Sequence, residues 1–146
     1  VGTAVDQAAL DGLAAQFEGE LLRPGDAGYR EGRALWNGLI DKRPALIARA
    51  SGPSDVVGAL AFARDQGLAV AVRGGGHGVA GNALAEGGVV IDLSGLKAIE
   101  VDPGARVARA GAGVTLGELD AATQEHGLAA PLGVVSETGI AGLTLG

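Results

Sequence analysis

The chain has 146 residues, enough for one domain or for two small lobes around a core of their own. Hydrophobic residues make up 47% and 27 residues are glycine without a fixed period, so neither a disordered polar chain nor a collagen-like repeat fits. A formal net charge of −6 with no basic face argues against nucleic acid or an anionic membrane as partner, and the lack of cysteine removes disulfides, thiol catalysis and cysteine–zinc sites.

In chain order, residues 6–17 carry Ala9, Leu10, Leu13 and Phe17 at helical spacing behind Asp6, a candidate N-cap. Glu20-Leu21-Leu22 reads as a short strand before the turn Arg23-Pro24-Gly25-Asp26, and residues 28–36 read as weakly helical. Tyr29 and Trp36 are taken as packing residues. PALIARA from Pro44 reads as a buried strand. A helix over Ser54 to Gln66 follows, stopped by Gly67, and then a second strand, LAVAVR. Strand, helix, strand predicts a parallel βαβ unit.

After a glycine loop, GGVVIDLSGL predicts a further strand. Residues 98–113 predict two strands joined at Asp102-Pro103-Gly104-Ala105, with Arg106 and Arg109 solvated. Thr115-Leu116-Gly117-Glu118 is a capping box opening a helix to about His126, with Gly127 as its stop. The remainder, from Leu128, reads as a loop of small residues. The fold class is α+β: a parallel βαβ lobe leading into a second α+β lobe with antiparallel strands. No basic-then-apolar leader is visible, so a cytoplasmic location is expected, and no apolar run approaches the about 20 residues of a membrane span. The start at Val1 and the stop inside a glycine-punctuated pattern read as a piece of a longer protein.

The stretch with chemistry in it is Arg73 to Asn82, RGGGHGVAGN. Gly76 to Gly81 fit G-x-G-x-x-G, but a dinucleotide site needs a helix directly after the loop, and Val89 already begins a strand. A plain tight connection with an ordinary loop histidine is a second reading. The third is a run of bare backbone N–H groups fit to hold a phosphate, with Arg73 adding charge at its entrance. His126 ends a helix and is assigned a structural role, and no metal site is expected. Asp92, at a strand end, is either a nucleotide contact or a turn cap, the cap being favoured.

VRGGGHGVAGNA followed by GGVVIDLSGL resembles the FAD-binding (PCMH-type) domain of the vanillyl-alcohol-oxidase class. Within that class it is most similar to the berberine-bridge-enzyme-like FAD-linked oxidases. The segments RPALIARASGPSDVVGALAFARDQGLAVAVR, ARVARAGAGVTLGELDAATQEHGLAAPLG and SETGIAGLTLG resemble further parts of the same domain, in the same order. The resemblance implies an incomplete FAD-binding domain over 43–146 behind a helical lead-in over 1–42.

It implies that Arg73, Gly74, Gly75, Gly76, His77, Gly78, Val79, Gly81 and Asn82 cradle FAD, with His77 bonded through its ring to the flavin 8α-methyl. It implies a second flavin-contacting strip at Thr138, Gly139 and Gly142, with weaker contacts at Pro131 and Gly133. Two departures stand out. Val135 occupies the place where many members carry a second, cysteine tether, and Gly78 stands where relatives more often have Ser or Asn.

The implied activity is oxidation of a small organic substrate by hydride transfer to flavin N5, with O2 or another acceptor taking the electrons. The catalytic base is expected beyond residue 146. The alternative is a non-catalytic nucleotide-binding module, or a fragment unable to hold FAD alone.

Overall fold

The computed structural model describes residues 5–145. Helix α1 (Gln7–Ala14) starts where Asp6 accepts a hydrogen bond from the Ala8 N–H, and it buries Leu10 and Leu13. It stops three residues short of the expected end, leaving Phe17 to pack against the core from the following turn. Strand β1 (Glu20–Leu22) and the single turn α2 (Tyr29–Gly32) follow. Tyr29 is a packing residue as expected: its ring is buried and its hydroxyl donates to Pro44 O at 2.6 Å.

Strand β2 (Leu46–Arg49), helix α3 (Pro53–Asp65) and strand β3 (Val70–Arg73) form the first half of the crossover. Pro53 opens α3, where a missing N–H costs nothing, and Gly67 takes a φ of +64° just after the helix. Strand β4 (Val89–Asp92) then inserts between the two parallel strands rather than joining the edge, and the sheet order is β1-β2-β4-β3. The expected parallel strands are present, but β2 and β3 each pair with β4 and not with one another. Burial explains the choice. Val89, Val90 and Ile91 are apolar in succession and need cover on both faces, whereas Val70 and Val72 tolerate an edge at 39% and 55% exposure.

Alternation divides the sheet's side chains between two layers. Leu46, Ala48, Val89 and Ile91 face α1 and α3, where they meet Leu10, Leu13, Ala59, Phe62 and Ala63. Ile47, Ala71 and Val90 face the other way, onto Leu22, Tyr29 and Leu84, with Leu35 and Ile40 at the margin. The lead-in therefore supplies one edge strand and part of the cover on both faces.

Strands β5 (Ile99–Asp102) and β6 (Val107–Ala110) form an antiparallel hairpin of their own, with Asp102 accepting from the Ala105 N–H across the turn. Arg106 and Arg109 are exposed. Helix α4 (Leu116–Gln124) carries the capping box. The tail differs from the expected loop: residues 140–145 form a short helix, α5 (Ile140–Leu145). Its start lies on Gly139, which offers no side-chain cap, and Gly142 interrupts it, so no local signal announced it. Among the described residues, no helix is long and apolar enough to cross a membrane.

Candidate functional site: a cavity between two glycine strips

The loop after β3 turns without forming a helix, and β4 begins at Val89. The structure thus lacks the helix that a dinucleotide fingerprint requires. Its glycines are set against Thr138 and Gly139 from the far end of the chain. A Cβ on Gly75 would overlap the backbone nitrogen of Gly139 and come within 2.8 Å of its Cα. Gly139 is equally restricted by Gly75. Two backbones pass here with no room for a side chain on either.

The 138–140 strip is held in turn against the start of α4. Leu116 N–H donates to Thr138 O at 2.9 Å, Ile140 N–H donates to Val114 O at 2.9 Å, and Thr115 bridges to Gly139.

A cavity of about 500 Å³ opens where the two strips meet. Gly74, Gly75, Gly76, His77, Gly78, Val79 and Asn82 line one side, and Thr138, Gly139 and Gly142 the other. Val72, Ala80, Ala83 and Leu143 complete it. Ten of the residues singled out from sequence are therefore brought together.

Four are not. Arg73 lies off the cavity because strand alternation puts it on the face of Ala71, where its Nη1 donates to Gly32 O. Its charge stands behind the loop, not at an entrance. Its Nε is buried without a partner among the described residues. Gly81 is fixed by packing: its φ is +71° and a Cβ would lie 2.8 Å from Ile40. Gly133 packs by Leu116 and Leu143, and Pro131 is exposed outside the lining. The same alternation that removes Arg73 points Val72 into the cavity, a contact the β-strand period could have revealed.

Two properties suit this cavity to a phosphate-bearing cofactor. Among the described residues, the backbone N–H groups of Gly75, Gly76, His77 and Gly78 form no hydrogen bond within the chain, so a row of donors is left open. Gly78 and Gly142 do not need to be glycine for the fold. Neither has a positive φ, and a Cβ on either would meet nothing within 4 Å. Their bareness keeps the lining clear, which a flat ring or an extended chain requires.

His77 is half-buried at the lining and stacks on Trp36, with centroids 5.6 Å apart and planes inclined by 21°. Trp36, expected as a packing residue, packs on His77 outside the core and is 66% exposed. Asp92 is a turn cap, buried and accepting from the Ser94 N–H at 2.9 Å. His126 sits exposed just past α4, and among the described residues no cluster of His, Cys, Asp and Glu could hold a metal.

A family model described as an FAD binding domain matches residues 44–146. The chain is 38% identical over 129 residues to (R)-6-hydroxynicotine oxidase of Paenarthrobacter nicotinovorans, a match covering 88% of this chain and 28% of that protein. An FAD-linked oxidoreductase of Dictyostelium discoideum is 37% identical over 131 residues, covering 89% of this chain and 28% of its own length. Among solved structures, BBE-like 1 of Physcomitrella patens superposes with a TM-score of 0.87 at 29% identity, over 94% of this chain and 30% of that one. The crystal structure of 6-hydroxy-D-nicotine oxidase from Arthrobacter nicotinovorans gives 0.82 at 37% identity, over 84% and 27%. The chain spans a little over a quarter of the length of the curated relatives it matches.

Proposed function

The chain belongs to the FAD-binding domain family of berberine-bridge-enzyme-like FAD-linked oxidoreductases, and on that premise we propose that it is the FAD-holding part of an oxidase or dehydrogenase anchored to its flavin through His77. FAD, when bound, would supply the redox chemistry for oxidising a small organic substrate by hydride transfer to N5, with O2 or another acceptor taking the electrons. The open N–H groups of Gly75 to Gly78 hold the pyrophosphate, as a nest of backbone donors does for an anion. Thr138, Gly139 and Gly142 shape the opposite wall, where the absence of side chains at 139 and 142 admits the ring or its ribityl chain.

Arg73 acts from behind the loop, its guanidinium adding positive potential without a direct contact. His77 supplies a ring nitrogen to the 8α-methyl carbon. That C–N bond would replace one methyl C–H and the imidazole N–H, releasing two protons to solvent and two electrons to the acceptor. With Val135 where a second tether would stand, His77 is the single anchor.

The observation that carries this reading is the meeting of Gly75 and Gly139 beside a cavity with unpaired donors and His77 at its lining. Acid denaturation of the full-length protein tests it. The expected result is flavin that stays with the polypeptide in the wild type and is released from His77→Ala. Flavin that binds but comes away from the wild type removes the anchor and leaves the family assignment. A wild type that takes up no FAD favours a binding module of another kind.

A further inference from the structure

The imidazole of His77 is held in an unusual manner. A functional histidine is commonly oriented by a hydrogen bond on one ring nitrogen, which leaves only the other free. Among the described residues, no hydrogen bond engages either ring nitrogen of His77, and the ring stacks on the face of Trp36. Stacking covers a face and leaves the edge open, and both nitrogens lie on the edge.

Trp36 is in turn tied to the same loop. Its backbone N–H donates to Gly76 O at 3.1 Å, one residue before His77. The next side chain, Asn37, donates from Nδ2 to Val79 O at 2.8 Å, two residues beyond His77. Leu35 packs against Gly76, and Lys42 Nζ reaches Gly81 O at 2.9 Å. The lead-in thus braces the loop on both sides of the histidine. Trp36 is 66% exposed and contributes little to the core, and its ring stacks on His77.

We infer that Trp36 is a positioning residue for His77, its indole fixing the plane of the imidazole while both ring nitrogens stay free for bond formation. The functional meaning of this rests on the anchoring role given to His77 above, but the stack itself can be tested apart from it.

The experiment uses the full-length protein with Trp36→Ala, Trp36→Phe and Trp36→Leu, first without and then with FAD. In the absence of FAD, the wild type is expected to show the His77 ring-proton resonance, assigned by its loss in His77→Ala, displaced upfield by the indole ring current. Trp36→Ala should remove the displacement. With FAD added, Trp36→Ala should bind the free cofactor nearly as tightly as wild type but form acid-stable flavin about tenfold more slowly, the upper size of one aromatic contact. Trp36→Phe should recover most of the rate and Trp36→Leu little of it.

An unchanged anchoring rate in Trp36→Ala would overturn the inference. So would recovery by Trp36→Leu as full as that by Trp36→Phe, since bulk alone would then suffice. If the wild type proves to hold FAD without a covalent bond, the anchoring role falls and the resonance decides: displaced, the stack stands, and undisplaced, it does not.

Discussion

The helices α3 and α4 each begin beside a carboxylate, and the two carboxylates work in opposite surroundings. Asp55, in the first turn of α3, is 1% exposed and accepts from the Glu18, Gly19 and Ser51 N–H groups and the Ser51 hydroxyl, at 2.8–3.0 Å. Glu118, in the first turn of α4, is nearly half exposed and accepts from Lys97 Nζ at 2.7 Å and from the N–H and hydroxyl of Thr115 at 2.7 and 3.0 Å. Burial pushes the Asp55 carboxyl up, and its hydrogen bonds more than offset this, so it lies below its ordinary range. The Lys97 hydrogen bond is the largest cause holding the Glu118 carboxyl below its ordinary range, followed by the Thr115 N–H.

The same local device closes a helix in one lobe and clamps the tertiary fold in the other. Asp55 ties the turn before β1 to the turn after β2, and Gly19 permits the approach because a Cβ there would overlap Arg49 O and lie 3.0 Å from Ser51 N.

The largest expected effect separates the two carboxylates. Asp55→Ala leaves three backbone donors and a hydroxyl without their acceptor in a dry site, and should cost about 4 kcal/mol in urea unfolding. The pH dependence has a definite sign. A carboxyl whose folded pKa is depressed stabilises fully above its unfolded value, and that contribution is lost as the pH falls through the folded pKa. Wild-type stability should therefore drop as the pH goes below 3.8, and Asp55→Ala should show a flatter profile there. An equal slope in both proteins would show that Asp55 does not carry the acid sensitivity.

A smaller effect is expected at the junction of the lobes. Gly75→Ala forces two backbones apart and should cost about 3 kcal/mol while weakening FAD retention, read by thermal unfolding and by flavin absorbance after gel filtration. Gly78→Ala, whose Cβ meets only open space, is the control that should leave stability unchanged. The smallest effect belongs to Glu118→Ala, about 1 kcal/mol for a half-exposed capping box. A cost as large as that of Asp55→Ala would erase the contrast between the two helix starts.

Much of this was legible in the residues. Asp6, Ser54, the Thr115–Glu118 pair and the glycines at 67 and 127 mark helix limits through their own backbone neighbourhoods, and the structure follows them within a few residues. The family resemblance placed both glycine strips and His77 on the cofactor, and the fold brings those strips to one cavity. Less was legible where partners are distant. The place of Arg73 beside the glycines suggests a charge at the cavity entrance, but strand alternation turns it toward Gly32. Trp36 carries no signal of its own that would pair it with a histidine 41 residues later. Helix α5 has neither a side-chain cap nor an uninterrupted run of strong helix formers.

The sequence by itself determined most of the elements up to α4 and the chemistry available in the glycine loop, because capping, alternation and glycine's freedom act over a few residues. Only the tertiary structure decided that β4 takes the centre of the sheet, that Gly75 lies on Gly139, and that Trp36 covers the face of His77. Those choices depend on which surfaces are left to bury once the elements have formed, and burial is a property of the whole chain.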